Sequence, residues 1–251
     1  MEVMSKVVNL SRLEDIYNLL KDINDDTTIF LDIDDTIIAP VSSMFRVEPY
    51  KHVIDDLKNN SHMYENYEEI VSNWRLKRKV QLTDKKWPEV LNNIKKTKQV
   101  FALTKMHTGK FGNIKSVEEW RYKELLDMGI IFSQSDKLKT YVNRLFGKLN
   151  CPVFHNGIFL TGYAKKSEVL SMYRDVIGFN KIVMVDDSAQ QIEDIKSYCK
   201  SNDIGFLGVL FSWANSKDVT PNHQLWDFQR NYLIEKAEWL EEKEAIIAMK
   251  S

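Results

Sequence analysis

The chain has 251 residues, with 35 Lys plus Arg against 36 Asp plus Glu, a formal charge of −1. That balance supplies no global cationic field for nucleic acid. The 43% hydrophobic content is too high for a disordered chain and sufficient for a sizeable core. Only 9 Gly and 5 Pro argue against collagen-like repeats and flexible linkers.

Cys151 and Cys199 are far apart and belong to no Cys/His cluster, which disfavours a zinc site or disulfide framework and fits a reducing compartment. The N-terminus lacks the apolar stretch of a secretory signal, and no apolar run is long enough for a membrane span. The expected location is cytoplasmic, and export without a cleavable signal would leave the same pattern.

In chain order, residues 11–23 read as a helix, with Ser11 and Glu14 as a capping box and Leu13, Ile16, Tyr17 and Leu20 on one face. Thr27–Ile33 is β-branched and apolar, as in a strand buried on both faces. Residues 40–85 fit no strand–helix alternation and are too long for a structureless loop, so they read as a small helical insert. Within it, Trp74 and the tyrosines suit a core, and the basic run 75–79 suits a solvated helix face.

Further strands are expected at 99–104, 129–132, 181–186 and 205–211. Helices are expected at about 86–97, 116–128, 135–148, 166–178 and 188–201, with Ser116 and Glu119 forming a second capping box. Residues 152–162 read as a hairpin turning at Asn156-Gly157. The tail, about 222–249, reads as one long helix with Leu225, Phe228, Tyr232 and Trp239 inward. Alternating strands and helices point to an α/β, doubly wound parallel sheet. The expected domains are a core of 1–39 and 86–251, long C-terminal helix included, and the insert 40–85.

Open parallel sheets bind ligands beyond the carboxyl ends of their strands. At those ends stand Asp32, Asp34, Thr104, Asp186 and Asp187, and Lys166 opens a helix after the hairpin. A carboxylate can attack phosphorus and divide hydrolysis into two easier steps, provided that cations offset its repulsion of phosphate. Asp32 and Asp186 offer oxygen ligands for Mg²⁺, Lys166 a fixed charge, Thr104 a hydroxyl donor and Asp34 a proton-transfer group. The acidic cluster Asp32, Asp34, Asp35, Asp186 and Asp187 is itself an argument for a bound cation.

Asp-x-Asp-x-Thr after an apolar strand, then Leu-Thr, then Lys, then Asp-Asp after another apolar strand, resembles the haloacid dehalogenase (HAD) superfamily over about residues 25–212. The resemblance implies a Rossmann-like core and Mg²⁺-dependent phosphotransfer through an aspartyl phosphate. It makes Asp32 the nucleophile, Asp34 the general acid/base, and Thr104 and Lys166 the phosphate-binding pair. It makes Asp32, Asp34 (through its carbonyl) and Asp186 the metal ligands. Asp187 becomes a ligand through water or a partner of Lys166, with a helix-cap role as the alternative. The second Asp of the first motif is what the superfamily's phosphatases have and its dehalogenases lack. The insert resembles a small cap of the kind that selects substrates.

The chain departs from the pattern at Lys105-Met106-His107, where relatives often have a small residue and then Arg, and at Gln191, where Asn is common. Lys165 is the alternative to Lys166, which directly precedes Ser167-Glu168-Val169-Leu170. His107 and His155 are read as ordinary loop or core histidines. The expected activity is a Mg²⁺-dependent phosphatase acting on a phosphorylated small molecule or phosphoprotein, with no nucleic-acid or membrane partner. The alternatives are a catalytically weak binding or regulatory protein of this fold, and a phosphotransferase using the same site.

Overall fold

A computed structural model describes residues 5–138, 151–213 and 219–250. The chain divides into two compact units. The first comprises Met1–Ile38, Leu82–Gly109 and Val117–Ser216, and the second Ala39–Gln81, Lys110–Ser116 and Lys217–Ser251.

The first unit is α/β around a mostly parallel sheet, consistent with a Rossmann-like fold. Its strands are β1 (Ser5–Leu10), β2 (Thr28–Leu31), β5 (Val100–Thr104), β6 (Val153–His155), β7 (Ile158–Leu160), β8 (Lys181–Asp186) and β9 (Gly205–Phe211). Their order is β1-β9-β8-β2-β5-β7-β6. All neighbours pair in parallel except β6 with β7. The hairpin turn has Asn156 at φ 48° and Gly157 at φ 87°, the left-handed pair that a two-residue turn requires.

β2 and β5 are buried throughout, as their unbroken apolar runs demand. On one sheet face, Phe30, Phe101, Phe159, Ile182, Met184 and Phe206 form a core with Val169, Leu170 and Tyr173 of α6 (Lys166–Ile177) and Ile192, Ile195 and Cys199 of α7 (Ala189–Ser201). α4 (Trp87–Ile94) buries Trp87 against Phe211 of β9, whose side chain alternates away from that of Phe206. α1 (Leu13–Asp22) packs beside α4 through an apolar stripe of Leu13, Ile16 and Leu20.

Several expectations need correction. Arg12 rather than Ser11 is the N-cap of α1, and its guanidinium instead pairs with Asp15 at 2.7 Å. Residues 129–132 form no strand. Ile130 N–H donates to Leu125 of the preceding helix, and Ser133 hydrogen-bonds to Val100 of β5. β1 was not expected, because an edge strand with mostly exposed side chains carries no continuous apolar run. Of the helix expected at 135–148, residues 139–148 lie outside the described residues.

The second unit receives the chain through β3 (Ile38–Pro40) and returns it through β4 (Val80–Leu82), which pair as a two-stranded ribbon. It contains α2 (Val53–Asn59), α3 (Tyr67–Lys77), α8 (His223–Lys236) and α9 (Glu242–Ala248). The C-terminal region, expected with the core as one long helix, therefore belongs to this unit and is two helices. Ala237 at φ 51° separates them. The inner face of α8 is Leu225, Trp226, Gln229 and Leu233, while Phe228 and Tyr232 are only half-buried.

An aromatic core explains the grouping. Trp74 and Trp239 flank Phe45 at 5.4 and 5.5 Å between ring centroids, and Tyr50 meets Trp226 at 5.3 Å. The run 75–79 is also not a purely solvated face. Arg78 is buried over Trp74, and Arg75 lies over Phe111. Among the described residues, no helix is long and apolar enough to cross a membrane.

Candidate functional site

The central strands β2 and β8 end side by side, because Asp32 N–H donates to the Val185 carbonyl at 2.9 Å and continues their ladder. Asp32 and Asp186 thus leave the sheet as neighbours, although 134 and 20 residues separate them from Lys166 in the chain. Lys166, at the first position of α6, is 1% exposed. Its ammonium donates to Asp32 Oδ1 and Asp186 Oδ2, each at 2.7 Å. Lys165 is exposed, with its backbone N–H on Glu168, and only the Lys166 side chain of the two meets these carboxylates among the described residues.

Ser188, rather than Asp187, caps α7 through Gln191 N–H, while Ser188 N–H donates to Asp186 Oδ1 at 2.9 Å. Asp187 is thereby left at the rim with its carboxylate near the other two. One oxygen each from Asp32, Asp186 and Asp187 lies within 4.8 Å of the others, a spacing that suits a divalent cation with hard oxygen ligands. Asp187 belongs to this group directly. The Asp34 carboxylate does not.

Beyond Asp32 the chain makes a tight turn. Ile37 and Ile38 N–H both donate to the Ile33 carbonyl, and Asp35 N–H donates to the Ile38 carbonyl at 2.7 Å. Asp35 takes φ 58°, a left-handed conformation that Asp tolerates better than most residues. This turn places Asp34 over α5 (Val117–Leu126), where Arg121 Nη2 donates to its Oδ1 and Oδ2 at 3.0 and 2.8 Å. Arg121 Nη1 donates to Glu124 at 2.5 Å. Thr104 is buried at the carboxyl end of β5, and its carbonyl accepts from Thr161 N–H at 3.1 Å.

The electrostatics follow from burial in an acidic cluster. Burial pushes the Asp32 carboxyl up to about 7; Lys166 opposes this, while Asp186 and Asp34 add to it. Asp187 retains solvent access at the rim, yet surrounding protein strips part of its hydration. That desolvation, with the charges of Asp32, Asp35 and Asp186, pushes its carboxyl up to about 8. Burial works against the Lys166 charge, but Asp32 and Asp186 outweigh it and hold the ammonium above its ordinary range. The cluster thus holds more negative charge than its ammonium neutralises, and added positive charge would be favourable there.

Arg121 is the site residue that sequence reasoning missed. A signal was present: Val117, Arg121 and Leu125 recur every four residues and are the three buried positions of α5. An arginine inside an apolar stripe needs a buried acidic partner.

The model of a family described as "Protein of unknown function (DUF2608)" matches residues 9–246. "Uncharacterized protein RP296" of Rickettsia prowazekii (strain Madrid E) is 24% identical over 238 residues, covering 92% of this chain and 85% of that protein. No solved structure matches.

Proposed function

The chain belongs to the DUF2608 family, and we propose that it is a Mg²⁺-dependent phosphatase of HAD type that hydrolyses phosphoric monoesters through an aspartyl phosphate on Asp32. The observation that carries this reading is the convergence of Asp32, Lys166, Asp186 and Asp187 at the ends of adjacent parallel strands. The HAD resemblance of the motifs supports it.

In this reading the Asp32 carboxylate attacks phosphorus and the bond to the leaving oxygen breaks. Asp34 gives that oxygen a proton. Asp34 then takes a proton from water, whose oxygen attacks the acyl phosphate and releases inorganic phosphate and Asp32. Lys166 supplies fixed positive charge and Thr104 a hydroxyl donor to the phosphoryl oxygens. Asp32, Asp186 and Asp187 would hold Mg²⁺, which supplies charge neutralisation and orientation of the phosphoryl group. Attack requires an ionised Asp32, which burial disfavours, and a nearby cation would favour that ionised form.

The test is hydrolysis of 4-nitrophenyl phosphate with and without Mg²⁺, using Asp32→Asn as control. Turnover should require the metal and fall by at least about 10³-fold in the variant. Activity that survives either change would overturn the reading.

A further inference from the structure

Arg121 has three features that folding alone does not require. It is 0% exposed, although a guanidinium is among the costliest groups to bury. Its Nε–H is buried without a hydrogen-bond partner among the described residues. An unmade bond of that kind costs about 1–3 kcal/mol, so the side chain forgoes one donor in this orientation. Its orientation serves the two ends of the guanidinium instead: Nη2 spans both oxygens of Asp34, and Nη1 holds Glu124. The Trp120 ring lies 5.0 Å from its central carbon.

Buried ion pairs are weak stabilising devices, since desolvation offsets most of their attraction. What they do supply is orientation. The Asp34 side chain is 37% exposed, so it reaches open space while being held from beneath by a group that is wholly buried. Both of its oxygens accept from one nitrogen, which restrains the carboxylate's position. Asp34 is also the site carboxylate that stays out of the Asp32, Asp186 and Asp187 cluster.

We propose that Arg121 is a positioning residue: it holds the Asp34 carboxylate apart from the cation-binding carboxylates and aims it at the oxygen that leaves phosphorus. This inference rests on the phosphatase reading above. Arg121 itself touches no reacting atom. Its removal leaves Asp32, Lys166, Asp186 and Asp187 in place, and impairs the step in which the leaving oxygen must be protonated.

The experiment compares kcat/KM for phenyl phosphate and 4-nitrophenyl phosphate. Phenoxide is the more basic leaving group and depends more on a proton donor. The variant is Arg121→Met combined with Glu124→Gln, so that no buried carboxylate loses its partner. Glu124→Gln alone is the reference. The double variant should lose at least about tenfold more activity on phenyl phosphate than on 4-nitrophenyl phosphate. Its Mg²⁺ affinity by calorimetry should match the reference.

Equal losses on both substrates would overturn the inference, because they would mark a general structural effect. A parallel loss of Mg²⁺ affinity would do the same. If the double variant does not fold, Arg121→Lys is used, and the same excess loss on phenyl phosphate is required of it. A native protein with no activity on either substrate sinks the phosphatase reading and this inference with it. An active native protein with an unchanged substrate ratio sinks the inference alone.

Discussion

The Lys166 ammonium lies 2.7 Å from Asp32 Oδ1 and equally close to Asp186 Oδ2, and so holds together the ends of two parallel strands. The two carboxylates are nearly buried and repel each other. The lysine is what makes their adjacency tolerable.

Lys166→Met should therefore destabilise the protein by about 3–5 kcal/mol, the usual cost of leaving a buried charge unpaired. Millimolar Mg²⁺ should recover part of that loss, since a cation among Asp32, Asp186 and Asp187 replaces the missing charge. Urea denaturation with Mg²⁺ and with chelator measures both effects. Absence of recovery would argue against a cation among these three residues.

The pH dependence has a definite sign. The ordinary value for both Asp32 and Asp187 is 3.8, and the folded protein raises them to about 7 and about 8. The folded state thus binds these protons more tightly than the unfolded chain. Their stabilising contribution is present at low pH and is lost as pH rises from about 4 to about 8. Without metal, Asp32→Asn should flatten this decline in a pH series of denaturation curves. Mg²⁺ competes with the same protons, so its affinity should rise across the same window, with proton release visible by calorimetry in two buffers.

Gly112 packs closely against α3. It has φ +52°, and a Cβ there would overlap the Glu68 carbonyl oxygen and Ser72 Oγ. The next residue, Asn113, donates its N–H to Ser72 at 2.9 Å and its side-chain amide to Asn73 at 2.8 Å. Gly112→Ala should cost about 1–3 kcal/mol from backbone strain, and more from the overlap. Hydrogen exchange should show the loss first in residues 110–116 and on α3.

Trp239 joins the C-terminal helices to the rest of that unit. Its indole N–H donates to Glu241 Oε1 at 3.0 Å, and the same oxygen accepts from Lys79 N–H at 2.7 Å. Glu242 likewise accepts from the N–H and hydroxyl of Ser43, at 2.8 and 2.6 Å. Trp239→Ala should cost about 3–5 kcal/mol through the lost ring volume. Limited proteolysis should then cut near 237–242, where the native protein resists.

Elements with unbroken apolar runs or local turn chemistry are legible in the chain itself. β2, β5, β8 and β9 show as apolar runs because both of their faces are covered. The Asn156-Gly157 hairpin shows because left-handed backbone needs those residues. Asp32, Asp34, Thr104, Lys166, Asp186 and Asp187 could be singled out because parallel strands place their last residues at one edge.

Long-range packing settled the rest. It buried Lys166 between Asp32 and Asp186 while leaving Lys165 exposed, and it placed Asp187 beside Asp32 and Asp186. It drew residues 217–251 into the second unit through Trp226 and Trp239, whose ring partners lie far away in the chain. It also paired Arg121 with Asp34 across 87 residues. The apolar stripe of α5 marks Arg121 but not its partner, because the energy of the pair comes from desolvation and charge that exist only once the sheet and helix enclose it.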